Sequence, residues 1–176
     1  MKTLLTFIAA VLTVLTVSAQ DYYKNGTLIQ INDDLTFKCY VNEDFITLVN
    51  TKKINIYVPR KSANAALIDR SVIKKALEET FTAEELENYK DVTLSFNAVL
   101  NASLKPIDIT FSFENETGRT IPPAKFATLR QKIMDYARFQ TNLKLHPGEY
   151  YLWDEGLIAP LWYYRDAKYI QRGRKR

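Results

Sequence analysis

The chain is poor in the residues that form disulfides, metal sites and phosphate-binding loops. It has 176 residues but only one cysteine, one histidine and five glycines. A single cysteine excludes an internal disulfide framework, and one Cys with one His is too few for an ordinary zinc site. Neither a Gly-x-Ser-x-Gly elbow nor a Walker or dinucleotide fingerprint is present. We therefore predict no catalytic residue, no metal and no cofactor, and a domain held together by packing.

The two rare residues both have an ordinary interpretation. Cys39 alternates with Leu35 and Phe37, so it belongs to the apolar face of a strand as a small buried hydrophobe. An intermolecular disulfide or a nucleophilic thiol are the alternatives. His146 precedes Pro147 and Gly148, which indicates a solvated turn.

Residues 1–19 have the three parts of a secretory signal peptide. Lys2 supplies the positive end, the run from Leu4 to Val17 carries no charge, and small residues lead to Ala19. We predict cleavage between Ala19 and Gln20. The apolar run is shorter than the roughly 20 residues that a spanning helix needs, and no later segment is apolar enough to span a bilayer. The sequence thus predicts an exported chain, periplasmic or secreted, that is soluble after cleavage and has no transmembrane segment.

Positive charge is concentrated at the C-terminus. The formal net charge is +4, while residues 165–176 hold six basic side chains against one acid, so the rest of the chain is close to neutral. This basic tail could bind an anionic surface, a glycan or nucleic acid by counterion release, or it could simply be solvated. The candidate binding residues of the tail are Arg172, Arg174, Lys175 and Arg176.

The first part of the mature chain has the pattern of a β-meander. Short runs of strand-forming residues alternate with Asn/Asp or Thr/Lys turns, which is typical of antiparallel hairpins. The predicted strands are Thr27–Ile31, Leu35–Val41, Phe45–Asn50 and Ile54–Val58.

From residue 61 the sequence pattern changes to one that predicts helices and longer strands. Apolar residues recur at helical spacing from Leu67 and Ile68 to Phe81, and Thr82 with Glu85 forms a capping box that opens a second helix. Two half-buried strands follow, then a helix that Pro122 and Pro123 open and that ends near Phe139, then a hairpin turning at Asp154-Glu155-Gly156. The strands are Val92–Leu100 and Ile107–Phe113, and the hairpin arms are Tyr150–Trp153 and Leu157–Tyr164.

Together these patterns predict a single α+β domain over residues 20–164. An N-terminal antiparallel β-meander (20–60) precedes an α-β-β-α-β unit (61–164), with helices packed on a sheet in two layers. The basic tail (165–176) lies outside it.

The second half resembles the C-terminal domain of TonB-type energy transducers. The likeness lies in Val92-Thr-Leu-Ser-Phe96 followed by Leu104-Lys-Pro-Ile-Asp-Ile109, where a strand turns and returns before a Pro-led helix. The chain departs from that family because it lacks the Asp-Gly turn, the Pro-rich spacer and the retained anchor. The resemblance implies an extracytoplasmic module that contacts a partner, but no energy transduction and no functional residue.

Aromatic residues are concentrated between residues 150 and 164. Rings on one strand face can stack on sugars or anchor a protein, which makes Tyr151, Trp153, Trp162 and Tyr164 the candidate binding residues. In the alternative interpretation, alternate rings close the core and the others cover a sheet edge.

Our leading hypothesis is a non-enzymatic exported domain that binds a protein or glycan partner outside the cytoplasm. Two alternatives stay open. The first is a small secreted hydrolase that uses a carboxylate pair, since any two of the acids could meet in space. The second is a polyanion-binding protein that acts through the basic tail.

The signal peptide gives the first testable prediction. When the whole chain is expressed with an export pathway, the exported product should begin at Gln20, and its intact mass should lack residues 1–19. A product that keeps these residues and stays with the membrane fraction would contradict the predicted cleavage.

Overall fold

The computed structural model describes residues 22–52, 66–141, 146–148, 150–154 and 159–160. Within these ranges the elements are, in chain order, β1 (Leu28–Asn32), β2 (Leu35–Val41), β3 (Phe45–Asn50), β4 (Ala66–Leu67), α1 (Ser71–Thr80), α2 (Ala83–Asn88), β5 (Thr93–Asn101), β6 (Pro106–Glu114), α3 (Asn115–Gly118), α4 (Pro123–Tyr136), β7 (Phe139–Gln140), β8 (Tyr150–Asp154) and β9 (Ala159–Pro160).

One antiparallel sheet organises the fold. Its strands follow the order β1-β2-β3-β6-β5-β8, and β9 pairs with β5 as well. The strands β1, β2 and β3 form the predicted meander, whereas the predicted strand Ile54–Val58 lies outside the described residues. The pairing of β3 with β6 joins the meander to the second half of the chain, with Ile46 opposite Phe113 and Leu48 opposite Phe111.

Asparagine side chains close three of the turns between strands in the same way. The Oδ1 atom of Asn32 accepts hydrogen bonds from the backbone N–H groups of Asp34 and Leu35. Asn42 does the same before β3, and Asn101 accepts from two N–H groups of the β5–β6 connection. A short amide side chain that bonds its own backbone two residues on favours a turn, which is why the Asn/Asp clusters predict these strand ends correctly.

The helix starts follow the predicted capping chemistry. Thr82 accepts a hydrogen bond from the N–H of Glu85, and the Glu85 carboxylate accepts one from the N–H of Thr82, which confirms the capping box. Pro122 caps α4 and Pro123 is its first residue, where a missing N–H costs nothing.

The hydrophobic core lies between the helices and one face of the sheet. Alternate residues of the strands point into it, so β5 buries Leu94, Phe96, Ala98 and Leu100. The helix α4 packs directly against β6, and α1 packs against α4. The predicted α+β architecture, with a meander and helices on one face of a sheet, is confirmed.

The predicted C-terminal hairpin is wrong. The strands β8 and β9 do not pair with each other; both pair antiparallel with β5, β8 opposite residues 97–101 and β9 opposite residues 93–94. They therefore lie one after the other along the same edge of the sheet. The position of Pro160 agrees with this, because proline cannot donate to a ladder and is tolerated on an edge strand.

Two predicted helix boundaries are also wrong. Leu67 belongs to β4 and Ile68 follows it, so α1 begins only at Ser71. At the other end α4 stops at Tyr136, and Phe139 lies in β7, which pairs with β4. Both errors have the same cause, because this small second sheet is formed by residues far apart in sequence and no local pattern shows it.

Tyr23 provides a test of the long-range packing. Its hydroxyl donates to the carbonyl oxygen of Ile121, 98 residues away, and its side chain is buried. Tyr23→Phe leaves that buried carbonyl without this donor, so we expect the free energy of unfolding in urea to fall by about 1–3 kcal/mol. The neighbouring half-buried Tyr22 is the matched control, and Tyr22→Phe should change it by less than about 0.5 kcal/mol. Equal effects of the two substitutions would contradict this role of the Tyr23 hydroxyl.

Candidate interaction surface

Two of the four aromatic residues predicted to bind a partner lie in the core. Tyr151 and Trp153 are 3% and 4% exposed, and they alternate on β8. The Trp153 ring contacts Phe96 and Phe139, with ring centroids 5.4 and 5.0 Å away. The expectation of exposed rings is therefore wrong for this pair, because their strand face is the face that the helices cover. The alternative, in which alternate rings close the core, is confirmed for them.

The other predicted site residues fall outside the described part of the chain. These are Trp162 and Tyr164, the tail residues Arg172, Arg174, Lys175 and Arg176, and the cleavage pair Ala19 and Gln20. The roles proposed for them stay predictions.

The single cysteine and the single histidine lie apart. Cys39 is fully buried on β2 opposite Leu48, where a partner thiol or a substrate has no access. His146 is exposed, and it lies in a turn that contains Gly148. The φ angle of Gly148 is 83°. Among the described residues, no group of three His, Cys, Asp or Glu side chains could hold a metal ion.

The most distinctive surface is the side of the sheet opposite the helices. We call it the open face; it consists of the strand residues that alternate with the core residues, and no described helix packs on it. Its half-buried or exposed residues include Leu28, Gln30, Thr36, Lys38, Tyr40, Thr47, Val49, Ser95, Asn97, Val99, Thr110, Ser112 and Leu152, whereas Asp108, which pairs opposite Val99, is buried.

The centre of the open face is uncharged and made of small side chains. The hydroxyls of Thr47 and Ser112 are hydrogen-bonded across β3 and β6, 2.9 Å apart. Ser95 stands opposite Ser112 on the next strand, and Asn97 stands opposite Thr110. Small hydroxyl and amide side chains leave the surface low, so another molecule can approach the sheet closely.

Larger apolar groups lie towards both ends of the open face. On β2 the Tyr40 side chain is 45% exposed, and the Lys38 ammonium lies 5.1 Å from its ring centroid. On β8 Leu152 is 43% exposed and stands opposite Val99. The open face therefore presents exposed apolar groups on both sides of a polar, uncharged centre.

The helical side of the domain carries ion pairs instead. The Lys132 ammonium lies 2.7 Å from the Glu79 carboxylate, and the Tyr136 hydroxyl donates to the same carboxylate. The hydrogen bond from Lys132 lowers the pKa of Glu79, and the bond to Glu79 raises the pKa of Tyr136. Similarly, Lys125 lies 2.7 Å from Glu85 and its hydrogen bond lowers the pKa of that carboxyl.

One ion pair reaches the margin of the core. The Arg130 guanidinium on α4 donates to Asp108 on β6, at 2.8 and 3.1 Å, and both side chains are 12% exposed. The side-chain amide of Asn50 lies 3.3 Å from the same carboxylate oxygen. A partly buried carboxylate needs such partners, so this contact ties the helix layer to the sheet.

These contacts bear on the carboxylate-pair hypothesis. A glycosidase-like general acid needs a raised pKa, whereas Asp34, Glu79 and Glu85 have a lowered pKa because each accepts a hydrogen bond from a lysine. A small crevice in the core is lined by apolar side chains alone, without an acid; they are Phe81, Val92, Leu94, Ile121, Phe126 and Leu129.

No helix in the described ranges is long and apolar enough to cross a membrane. No family model matches the sequence, and no curated protein matches it. A similar fold occurs in the crystal structure of a DUF5043 family protein from Bacteroides uniformis. That structure superposes with a TM-score of 0.56 at 19% sequence identity, over 76% of this chain and 86% of that one. At this identity the similarity concerns the fold alone.

The sequence contains the signal for the open face. The alternation in β5 and β6 predicts that each strand has a polar half, with Ser95, Asn97, Thr110 and Ser112 among its residues. What the sequence does not show is that β3 pairs with β6, which brings Thr47 and Val49 beside these residues.

The lowered pKa values predict how stability depends on pH. In the folded protein Glu85 releases its proton at a lower pH than in the unfolded chain, so its ion pair stabilises the fold above the ordinary glutamate pKa. We expect that contribution to be lost as the pH falls from about 5 to about 3. The free energy of unfolding, measured in urea across this pH range, should depend less steeply on pH in Glu85→Gln than in the native chain.

Lys125→Met should flatten the same pH profile, because it removes the cation that lowers the pKa of Glu85. Adding Glu85→Gln to Lys125→Met should then change the slope little. Two substitutions that act independently and additively would contradict the pairing.

Proposed function

We propose that this chain is an exported, non-enzymatic interaction module that binds a protein partner outside the cytoplasm through the open face. The observation that carries the proposal is the one-sided sheet: helices cover one face, and the other presents a low, uncharged centre with Tyr40 and Leu152 at its sides. Such a face is the natural docking surface for a flat partner.

The dimensions of the open face support a protein as the partner. Six strands spaced about 4.8 Å apart give a width of about 24 Å, and strand lengths of about 20 Å give an area of roughly 500 Å². An ordinary protein interface buries about 800 Å² on each partner, which is the same order of magnitude.

The positions of the aromatic rings favour a protein over a glycan. Sugar binding usually uses flat, exposed rings, and Tyr151 and Trp153 are buried among other core side chains. On the open face Tyr40 is the large ring with the greatest exposure, and it lies at one side. The small hydroxyl side chains of this face, together with Val49, Val99 and Leu152, instead suit a broad contact with a protein surface that is partly apolar and partly polar.

The proposal of export rests on the signal-peptide pattern of residues 1–19. The TonB-like order of elements in the second half is a further expectation that favours an extracytoplasmic role.

The lowered pKa values and the apolar crevice give no support to the hydrolase hypothesis. The polyanion hypothesis depends on residues 165–176; deletion of Arg172 to Arg176 should abolish heparin or anionic-lipid binding if it holds.

A matched pair of arginine substitutions tests the proposed face. Ser112→Arg places a long charged side chain in the centre of the open face, whereas Thr128→Arg places it on an exposed position of α4. The immobilised processed chain should retain a saturable protein partner from envelope or culture extract. We expect Ser112→Arg to lower that retention at least tenfold and Thr128→Arg to leave it unchanged.

Both variants should first show the native circular dichroism spectrum and a urea midpoint near that of the native chain. Ser95→Arg, on the strand next to Ser112, should repeat the loss if the face is responsible. A partner that binds all three variants equally, or a chain that retains nothing at any salt concentration, would rule out the open face.

A further inference from the structure

The strand β1 forms one of the two edges of the sheet, and no other described strand pairs with its outer side. It follows a turn in which Gly26, at a φ of 79°, donates its N–H to Cys39, while the Cys39 N–H bonds the Thr27 carbonyl. This is a bulge of the kind that requires glycine at a positive φ. It fixes the register, so that Ile29 lies opposite Phe37 and Gln30 opposite Thr36.

The hydrogen-bond register decides which backbone groups of β1 point away from the sheet. Thr36 uses its carbonyl to accept from Thr51, on the side of β3, so Gln30 opposite it is not a hydrogen-bonded partner. Partners alternate along an antiparallel pair, so the N–H and C=O groups of Leu28 and Gln30 point outward. They form a short template for another strand.

The edge formed by β1 lacks two of the features that usually prevent strand addition, although it is irregular at both ends, at the Gly26 bulge and at the register shift between Gln30 and Asn32. Its sequence, Leu-Ile-Gln-Ile-Asn, has no charge and no proline, and Leu28 is 66% exposed. The opposite edge is different, because it is divided between β8 and β9 and contains Pro160. Charges, prolines and irregularities are the usual means of keeping an edge strand unpaired.

We propose that β1 pairs antiparallel with β1 of a second copy of this chain, forming a two-fold symmetric dimer with one continuous sheet. In a register centred on Ile29, the outward backbone groups of Leu28 meet those of Gln30 in the partner copy. This gives about four main-chain hydrogen bonds between the copies. On the core side of the sheet Ile29 faces its symmetry mate, and on the other side Leu28 lies beside Gln30.

Charge complementarity selects a second copy as the occupant. Exposed Lys24 lies just before β1, and exposed Asp33 and Asp34 lie just after it. In an antiparallel pair the beginning of one strand meets the end of the other, so Lys24 of each copy comes beside Asp33 of its partner; Asp34 is paired with Lys52 of its own copy, 2.6 Å away. The same arrangement occurs twice because of the two-fold axis.

This dimer does not rest on the proposed function, since it uses a strand edge and leaves the open face uncovered. Pairing at β1 would place the two open faces side by side on one sheet. Loss of the dimer and loss of partner retention are separate measurements, so either proposal can fail alone.

Sedimentation of the processed chain tests the dimer. We expect the weight-average mass to rise from one chain towards two between about 1 µM and about 500 µM. Gln30→Pro removes an outward N–H and no bond to β2, so the variant should sediment as a monomer over this range. Gln30→Thr keeps the N–H and should dimerise. Native circular dichroism in both variants shows that each has folded.

A charge exchange distinguishes the proposed partner from any other. Lys24→Glu alone and Asp33→Lys alone should each weaken dimerisation at least tenfold, because like charges then meet at both ends of the pair. An equimolar mixture of the two variants should form a heterodimer, since the carboxylate introduced in one copy then meets the ammonium introduced in the other. A native chain that stays monomeric at all concentrations, or variants that do not recover on mixing, would overturn the proposal.

Discussion

The packing of Phe113 is the interaction on which the rest of this structure depends. Its ring stacks on Phe126 of α4 at a centroid distance of 4.4 Å and an interplanar angle of 15°, and the Tyr23 ring packs against it in a T-shaped arrangement with a centroid distance of 5.2 Å. In the sheet it stands opposite Ile46 on one side and Leu94 on the other. One side chain therefore brings together the segment before β1, both halves of the sheet and the helix layer.

The tightness of this contact explains a residue that the sequence alone leaves unexplained. A Cβ atom on Gly118 would lie 2.3 Å from the Phe113 ring, closer than any real contact allows. Glycine at this point lets α3 cross the ring and turn the chain towards α4. Aromatic pairs of this type contribute about 0.5–1.5 kcal/mol beyond the burial of their area. Several of them around one ring make this region the natural centre of the core.

The same packing explains why the molecule has one covered and one open side. Because Phe111 and Phe113 direct their rings to α4, all the described helices that have a sheet contact collect on one face. The other face is then left without a helix layer and must be compatible with solvent. Its small hydroxyl side chains are, and they also bond each other, as Thr47 does with Ser112. The ion pairs of Glu79 and Glu85 serve a different purpose, since they hold helical elements to each other on the outside of the helix layer.

Local chemistry, by itself, determined the boundaries of many elements. The alternation in β5 and β6, the capping box of Thr82 with Glu85 and the proline start of α4 depend only on residues a few positions apart, so they could be predicted. Only the tertiary structure decided which strands are neighbours. It placed β6 beside β3, aligned β8 and β9 along one edge of β5, and turned Tyr151 and Trp153 into the core. The reason is physical: strand pairing is set by which apolar faces can be buried together across long loops, and periodicity within one strand does not show which neighbour provides that burial.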